Sequence, residues 1–127
     1  MLLTMMFDNF LLLIFFLQGS EAIRSIATDF SIIKDLQLNS KVFAKMNNLQ
    51  YLDIYTKGYY VFFQIPRSLN LPQGLKCLPN ELRYLRWAYY PLESLPSKFN
   101  GEKLVLLNLQ NSQVKKLWHE EKVIKYE

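Results

Sequence analysis

A chain of 127 residues, half of them apolar and 15% aromatic, has room for one modest core. Its net charge of +4 comes from 15 basic and 11 acidic residues that are intermixed, which excludes the concentrated basic face of a nucleic-acid binder. A single cysteine, Cys77, and a single histidine, His119, exclude an internal disulfide framework, a cysteine-rich zinc site and a histidine pair for a metal.

Phe10 to Leu17 is an unbroken apolar run, well short of the roughly 20 residues that span a bilayer. Its length suits the apolar core of a signal peptide, and Ser20-Glu21-Ala22 has the small-x-small form of a cleavage site that would leave a mature end at Ile23. No Lys or Arg precedes the run, however, and Asp8 and Asn9 lie on its N-terminal side, which is the wrong charge order for export. Residues 1–20 are therefore read as an apolar N-terminal helix, either a signal or a non-native extension, with membrane contact through Met1 to Leu17 as the alternative to a cytoplasmic chain.

From Glu21 the pattern changes. Ile23, Ile26, Ile32, Ile33, Leu36 and Leu38 predict one or two short buried extended segments. Asn39 and Ser40 are good N-cap types ahead of Val42, Phe43 and Met46 at helical spacing, so Lys41 to Met46 is expected to be a short helix. Residues 21–48 thus read as a linker with a short helix.

The remainder, residues 49–127, repeats itself. Leu82, Leu85, Trp87, Leu92 and Leu95 recur as Leu104, Leu107, Leu109, Val114 and Leu117, all at one constant spacing (104 − 82 = 22). A less regular copy begins at Leu49, Leu52 and Ile54, at a wider spacing from Leu82 (82 − 49 = 33), so the additional length is an insertion assigned to Thr56 to Asn70. Within it the crowded Tyr59 to Phe63 run is expected to be buried. Leu71-Pro72, Leu78-Pro79 and Leu95-Pro96 punctuate the copies, because proline lacks a donor and ends ladder pairing. One more period places Tyr126 at the start of a further copy, which the sequence then cuts short. The Lys115, Lys116, Lys122 and Lys125 cluster is interrupted by Glu120, Glu121 and Glu127 and reads as a solvated face.

Both regular copies follow L-x-x-L-x-apolar, a turn and two more apolar residues, the layout of a leucine-rich repeat. The expected fold is α/β: a short leucine-rich-repeat solenoid of about three repeats, with a small parallel sheet and short helical or irregular convex segments. Side chains alternate along a strand, so Leu85 and Trp87 face the core while Tyr84 and Arg86 face out. The same rule puts Tyr51, Asp53 and Tyr55 outward on the preceding strand and Leu106, Asn108 and Gln110 outward on the following one. These eight residues form the candidate protein-binding concave face. Tyrosine and arginine carry much of the energy at interfaces, since they join large area to hydrogen bonding at modest entropic cost.

Specific strings then carry a resemblance. Glu21 to Ile26, Phe43 to Leu52, Leu82-Arg83-Tyr84-Leu85-Arg86-Trp87, Tyr90 to Pro96, and Lys103 through Trp118 resemble plant disease-resistance proteins of the TIR, nucleotide-binding, leucine-rich-repeat class. The likeness covers about Gly19 to Glu120 and is similar to the junction after the nucleotide-binding region with the first repeats. Members of that class are intracellular immune receptors. No G-x-x-x-x-G-K-[ST] loop is present, so nucleotide binding and NAD cleavage transfer to no residue of this sequence, and no cofactor is expected. The resemblance implies a protein partner: a pathogen effector, a host guardee or the receptor's own nucleotide-binding region. It implies effector recognition or autoinhibition in a defence response. The sequence offers no nucleophile, base and orienter in a recognisable motif, so an enzyme is not expected. The alternative is a small secreted or membrane-associated leucine-rich-repeat protein.

Overall fold

The computed structural model describes residues 4–7, 21–29, 40–55 and 71–117. Five strands, β1 (Thr4–Phe7), β2 (Ser25–Asp29), β3 (Tyr51–Tyr55), β4 (Tyr84–Trp87) and β5 (Leu106–Asn108), form one sheet in chain order. Every pairing is parallel. A parallel neighbour requires the chain to leave the sheet and return, which takes a dozen or more residues. Strand starts at Thr4, Ser25, Tyr51, Tyr84 and Leu106 leave room for each of those returns. The result is a small parallel sheet of repeat-like α/β kind.

Register follows the repeat. Ile26, Leu52, Leu85 and Leu107 lie in one row across the strands, and Thr28, Ile54 and Trp87 in the next. All seven are buried, so one face of the sheet is the wall of the core. Aligning the apolar positions keeps that face continuous, whereas a slip by one residue would turn every side chain to the opposite face.

The strand starts are fixed by a second device. The carbonyl of Arg24 accepts from the N–H groups of Gln50 and Tyr51, that of Gln50 from Arg83 and Tyr84, and that of Arg83 from Val105 and Leu106. The residue just before each of these strands thereby receives the next turn of the chain.

Behind the sheet, Phe43 and Tyr90 approach Trp87 edge-on, at centroid distances of 6.2 and 5.2 Å. Such edge-to-face pairs put a ring's positive rim on its neighbour's negative face, worth about 0.5–1.5 kcal/mol each beyond area burial. The Tyr90 hydroxyl donates to the Ser94 carbonyl at 2.9 Å, closing the bend that returns Leu95 to the core. After Pro79 and Pro96 the chain makes tight turns, with Leu82 N–H donating to the Pro79 carbonyl and Phe99 N–H to that of Pro96.

Three expectations are corrected. Thr4–Phe7, placed in an apolar N-terminal helix, is a strand paired to β2, because its residues continue the parallel ladder. Lys41 to Met46 is a run of turns instead of a helix: Ala44 N–H reaches back to Lys41 and Met46 N–H to Phe43, each three residues away. Its apolar spacing is still used, since Val42, Phe43 and Met46 are all buried. The final strand stops at Asn108, so Gln110 is not on it. Leu92, Leu104, Leu109, Val114 and Leu117 pack against the core only partly buried, unlike Leu82, Leu85 and Leu95. The Phe10 to Leu17 run, the Thr56 to Asn70 insertion, His119 and Tyr126 lie outside the described residues.

Candidate protein-binding face

The face opposite the core is built by β3, Tyr-Leu-Asp-Ile-Tyr, and β4, Tyr-Leu-Arg-Trp. Tyrosine, isoleucine and tryptophan suit a pleated half-buried surface, and the alternating leucines pin which side faces the core. Pairing then sets two rows side by side: Tyr51, Tyr84 and Leu106, and next to it Asp53, Arg86 and Asn108.

In the first row the Tyr51 and Tyr84 rings stack, with centroids 4.3 Å apart and planes 14° from parallel. Strand spacing of about 4.8 Å imposes that separation on paired aromatic residues. Leu106 is half-buried beside Tyr84.

In the second row the Arg86 guanidinium lies side-on to the Asp53 carboxylate. Its Nε donates to Oδ1 at 2.5 Å and its Nη2 to Oδ2 at 2.7 Å. The Tyr51 hydroxyl donates to the same Oδ2 at 3.1 Å, joining the two rows. Arg86 also sits over the Tyr55 ring, 5.3 Å from its centroid, so one guanidinium is held by a carboxylate and a π face together.

Asp53 is only 4% exposed, which makes the charge-assisted bonds obligatory for it: a buried carboxylate without partners is expensive. Burial, followed by the charge of Asp53 and the hydrogen bond to it, pushes the Tyr51 phenol up to about 12. The hydrogen bond to Asp53 raises Arg86 above the ordinary guanidinium value and so holds its charge firmly.

Of the eight sequence-predicted residues, the structure joins Tyr51, Asp53, Tyr55, Tyr84 and Arg86 into one contacting cluster. Leu106 and Asn108 continue its rows. Gln110 stands apart, exposed past the end of β5, where its N–H donates to the Asn108 Oδ1 and its carbonyl accepts from Tyr89. Asp53, expected outward on this face, is on the predicted side but buried, where Arg86 and Tyr51 hydrogen-bond it. Sequence reasoning missed Ser25, Ala27 and Asp29, which align with Tyr51, Asp53 and Tyr55 and extend the face onto β2. The signal was available, since Ile23-x-x-Ile26 repeats the spacing of Leu49-x-x-Leu52.

Elsewhere the chemistry is quiet. Cys77 lines a shallow depression with Phe43, Asn47 and Glu81, and burial pushes its thiol up, away from the reactive thiolate. The Glu81 carboxylate there is held by Lys103 at 2.7 Å. No helix among the described residues is long and apolar enough to cross a membrane.

No family model and no solved structure matches the chain. Curated proteins do. Disease resistance-like protein DSC1 of Arabidopsis thaliana is 41% identical over 104 residues, covering 82% of this chain and 8% of its own length. Disease resistance protein RPV1 of Vitis rotundifolia is 37% identical over 117 residues, covering 80% of this chain and 8% of its own. Disease resistance protein RPP2A of Arabidopsis thaliana is 43% identical over 106 residues, with coverages of 82% and 8%. The chain thus spans a small part of the length of the relatives it matches.

Proposed function

This chain belongs, over the segment it spans, to the plant disease-resistance proteins, and we propose that it serves as a leucine-rich-repeat interaction module of an immune receptor. The repeat is a solenoid turn: one strand, a return behind the sheet, and the next strand in parallel. Its work is protein–protein contact through the face of Tyr51, Tyr84, Arg86 and their row-mates, in effector recognition or in restraint of the receptor by its own nucleotide-binding region. The site of action in this reading is the cytoplasm.

One observation carries this reading. Residues far apart in the sequence, Tyr51 with Tyr84 and Asp53 with Arg86, are brought into direct contact on the side of the sheet that the core does not use. A solvating surface has no need of stacked tyrosines and a buried carboxylate; a preorganised contact surface does, because locked side chains lose less entropy on binding.

The test is a graft. Residues 21–117 replace the matching segment of the RPV1 relative, and plants carrying the graft are scored for disease resistance. The expected result is resistance that is retained by the graft and altered when Tyr84→Ala and Asn108→Ala are added together. Equal behaviour of the two grafts, both accumulating normally, would overturn the proposal. The same reading makes the chain no enzyme, and ATP or NAD hydrolysis by the purified protein above a buffer blank would contradict that part of it.

A further inference from the structure

We infer that this chain associates end to end with further copies of itself, the outer edge of β5 in one copy taking β1 of the next as a parallel neighbour. The contact lies at the two ends of the sheet and is independent of the recognition reading.

Strand order and polarity make the two ends complementary. With the order β1-β2-β3-β4-β5 and every pairing parallel, β1 and β5 each have a neighbour on one side only among the described residues. An outer edge presents backbone N–H and carbonyl groups to any strand that arrives. Because all strands run the same way, the edge of β5 accepts β1 of a second copy with no change of direction in the sheet. Register agrees as well. Thr4 is level with Ser25, Tyr51, Tyr84 and Leu106, and Met5 with Ile26, Leu52, Leu85 and Leu107. Seating Thr4 beside Leu106 therefore sets Met5 beside Leu107, and the buried row of Ile26, Leu52, Leu85 and Leu107 runs on from one copy to the next.

These edges also lack the usual guards. Natural edge strands repel other strands with charge, proline or a bulge. Neither Thr-Met-Met-Phe of β1 nor Leu-Leu-Asn of β5 contains a charged residue or a proline. The core is thinly covered at the β5 end, where Val105 is 63% exposed. Leu104, Leu109 and Leu117 are only partly buried, while their counterparts one period earlier, Leu82, Trp87 and Leu95, are buried. An apolar end of this kind favours a partner that brings an apolar row together with its strand, and a second copy brings both. The contact is heterologous, β5 to β1, so every assembly keeps one open β5 and one open β1 and growth does not stop at a dimer.

Sedimentation velocity of the full chain from about 1 to 100 µM tests this, since mass action drives association across such a range. The expected result is a mass that climbs with concentration past the dimer. Thr4→Lys with Leu106→Lys sets like charges opposite each other at the joint and should weaken association at least about fivefold, whereas Thr4→Glu with Leu106→Lys should restore it. Met6 and Asn108, level with each other in the row two residues on, allow the same comparison a second time: Met6→Lys with Asn108→Lys against Met6→Glu with Asn108→Lys. Melting curves show that each variant compared is folded. A chain that stays monomeric over this range would overturn the inference. So would a mass that levels at a dimer, the mark of a closed two-fold contact, or equal association of the like-charge and opposite-charge variants, the mark of adhesion without this register.

Discussion

Arg86 and Asp53, distant in the chain, meet side-on across β3 and β4 with both guanidinium–carboxylate hydrogen bonds made. The two side chains are unequally buried, with Asp53 at 6% and Arg86 at 35% exposure. That asymmetry decides what each contributes, because the buried member is the one that suffers when the pair is broken.

Arg86→Ala should therefore destabilise by about 3 kcal/mol, the lower end of the cost of orphaning a buried charge, since the site is partly wetted once the guanidinium is gone. Adding Asp53→Ala should return a large part of that loss. Urea melts of the two single variants and the double variant measure the coupling. Additive losses would mean that the pair is no more than two neighbouring polar residues.

The pH dependence follows from Tyr51. Its phenol is raised from 10.0 to about 12, so the unfolded chain releases this proton before the folded chain does. The stabilisation is fully present below about pH 10 and is lost as pH rises toward about 12, because the folded state must hold a proton that the unfolded state has given up. The residue is still partly exposed, and solvent screening limits the loss to about 1–2 kcal/mol. Tyr51→Phe should flatten this limb of the stability profile, at a cost of about 1 kcal/mol near neutrality for the missing bond to Asp53. Thermal melts from about pH 8 to 11 on both proteins make the comparison; parallel profiles would show that the raised phenol is not linked to folding. Tyr90, also raised by burial, adds the same sign to both.

The sheet face was legible in the sequence because strand alternation assigns sides without reference to distant contacts. From Leu85 and Trp87 inward it follows that Tyr84 and Arg86 point out, and the repeat period then sets Leu107 beside Leu85. What that rule could not give was depth. Asp53 is on the expected side yet buried, in a site where its partners are Tyr51 on its own strand and Arg86 on another, which alternation along one strand does not reveal. The β1 strand was hidden, and β2 was expected only as a short buried extended segment around Ile23 and Ile26 without its place in the sheet, for a different reason. The steps from Thr4 to Ser25 and from Ser25 to Tyr51 match neither the regular period from Tyr84 to Leu106 nor each other, and the apolar run after Phe7 gave the N-terminus a helical look. The Lys41 to Met46 turns show a further limit: i, i+1, i+4 spacing buries the same residues whether or not a helix forms.

Ion pairs also bridge successive turns at the repeat distance, Glu81 to Lys103 and Glu93 to Lys115. Both are exposed, and Glu93–Lys115 is more so. Exposed pairs of this kind contribute about 0–1 kcal/mol, whereas emptying a fully buried leucine site costs about 2–5 kcal/mol. Lys103→Ala and Lys115→Ala are thus expected to leave the urea midpoint nearly unchanged, and Leu85→Ala, 0% exposed in the central row, to lower it sharply. A lysine variant as damaging as Leu85→Ala would mean that the turns are held together by charge more than by core.

Backbone handedness repeats from one turn to the next. Tyr89 and Asn111 both have positive φ, 59° and 56°, and they occupy equivalent places in successive turns (111 − 89 = 22). The left-handed conformation is thus part of how each turn leaves its strand. Asparagine enters this region more easily than most side chains, because its short polar group bonds locally, and glycine enters it without steric cost. Asn111 is exposed, so substitutions there report the backbone alone. Asn111→Ala should cost about 1 kcal/mol, as the Cβ meets the following carbonyl with no compensating bond, while Asn111→Gly should stay within about 0.5 kcal/mol of the parent. Urea melts of the two variants decide it: if alanine is tolerated as well as glycine, the turn leaves β5 without a left-handed residue in solution.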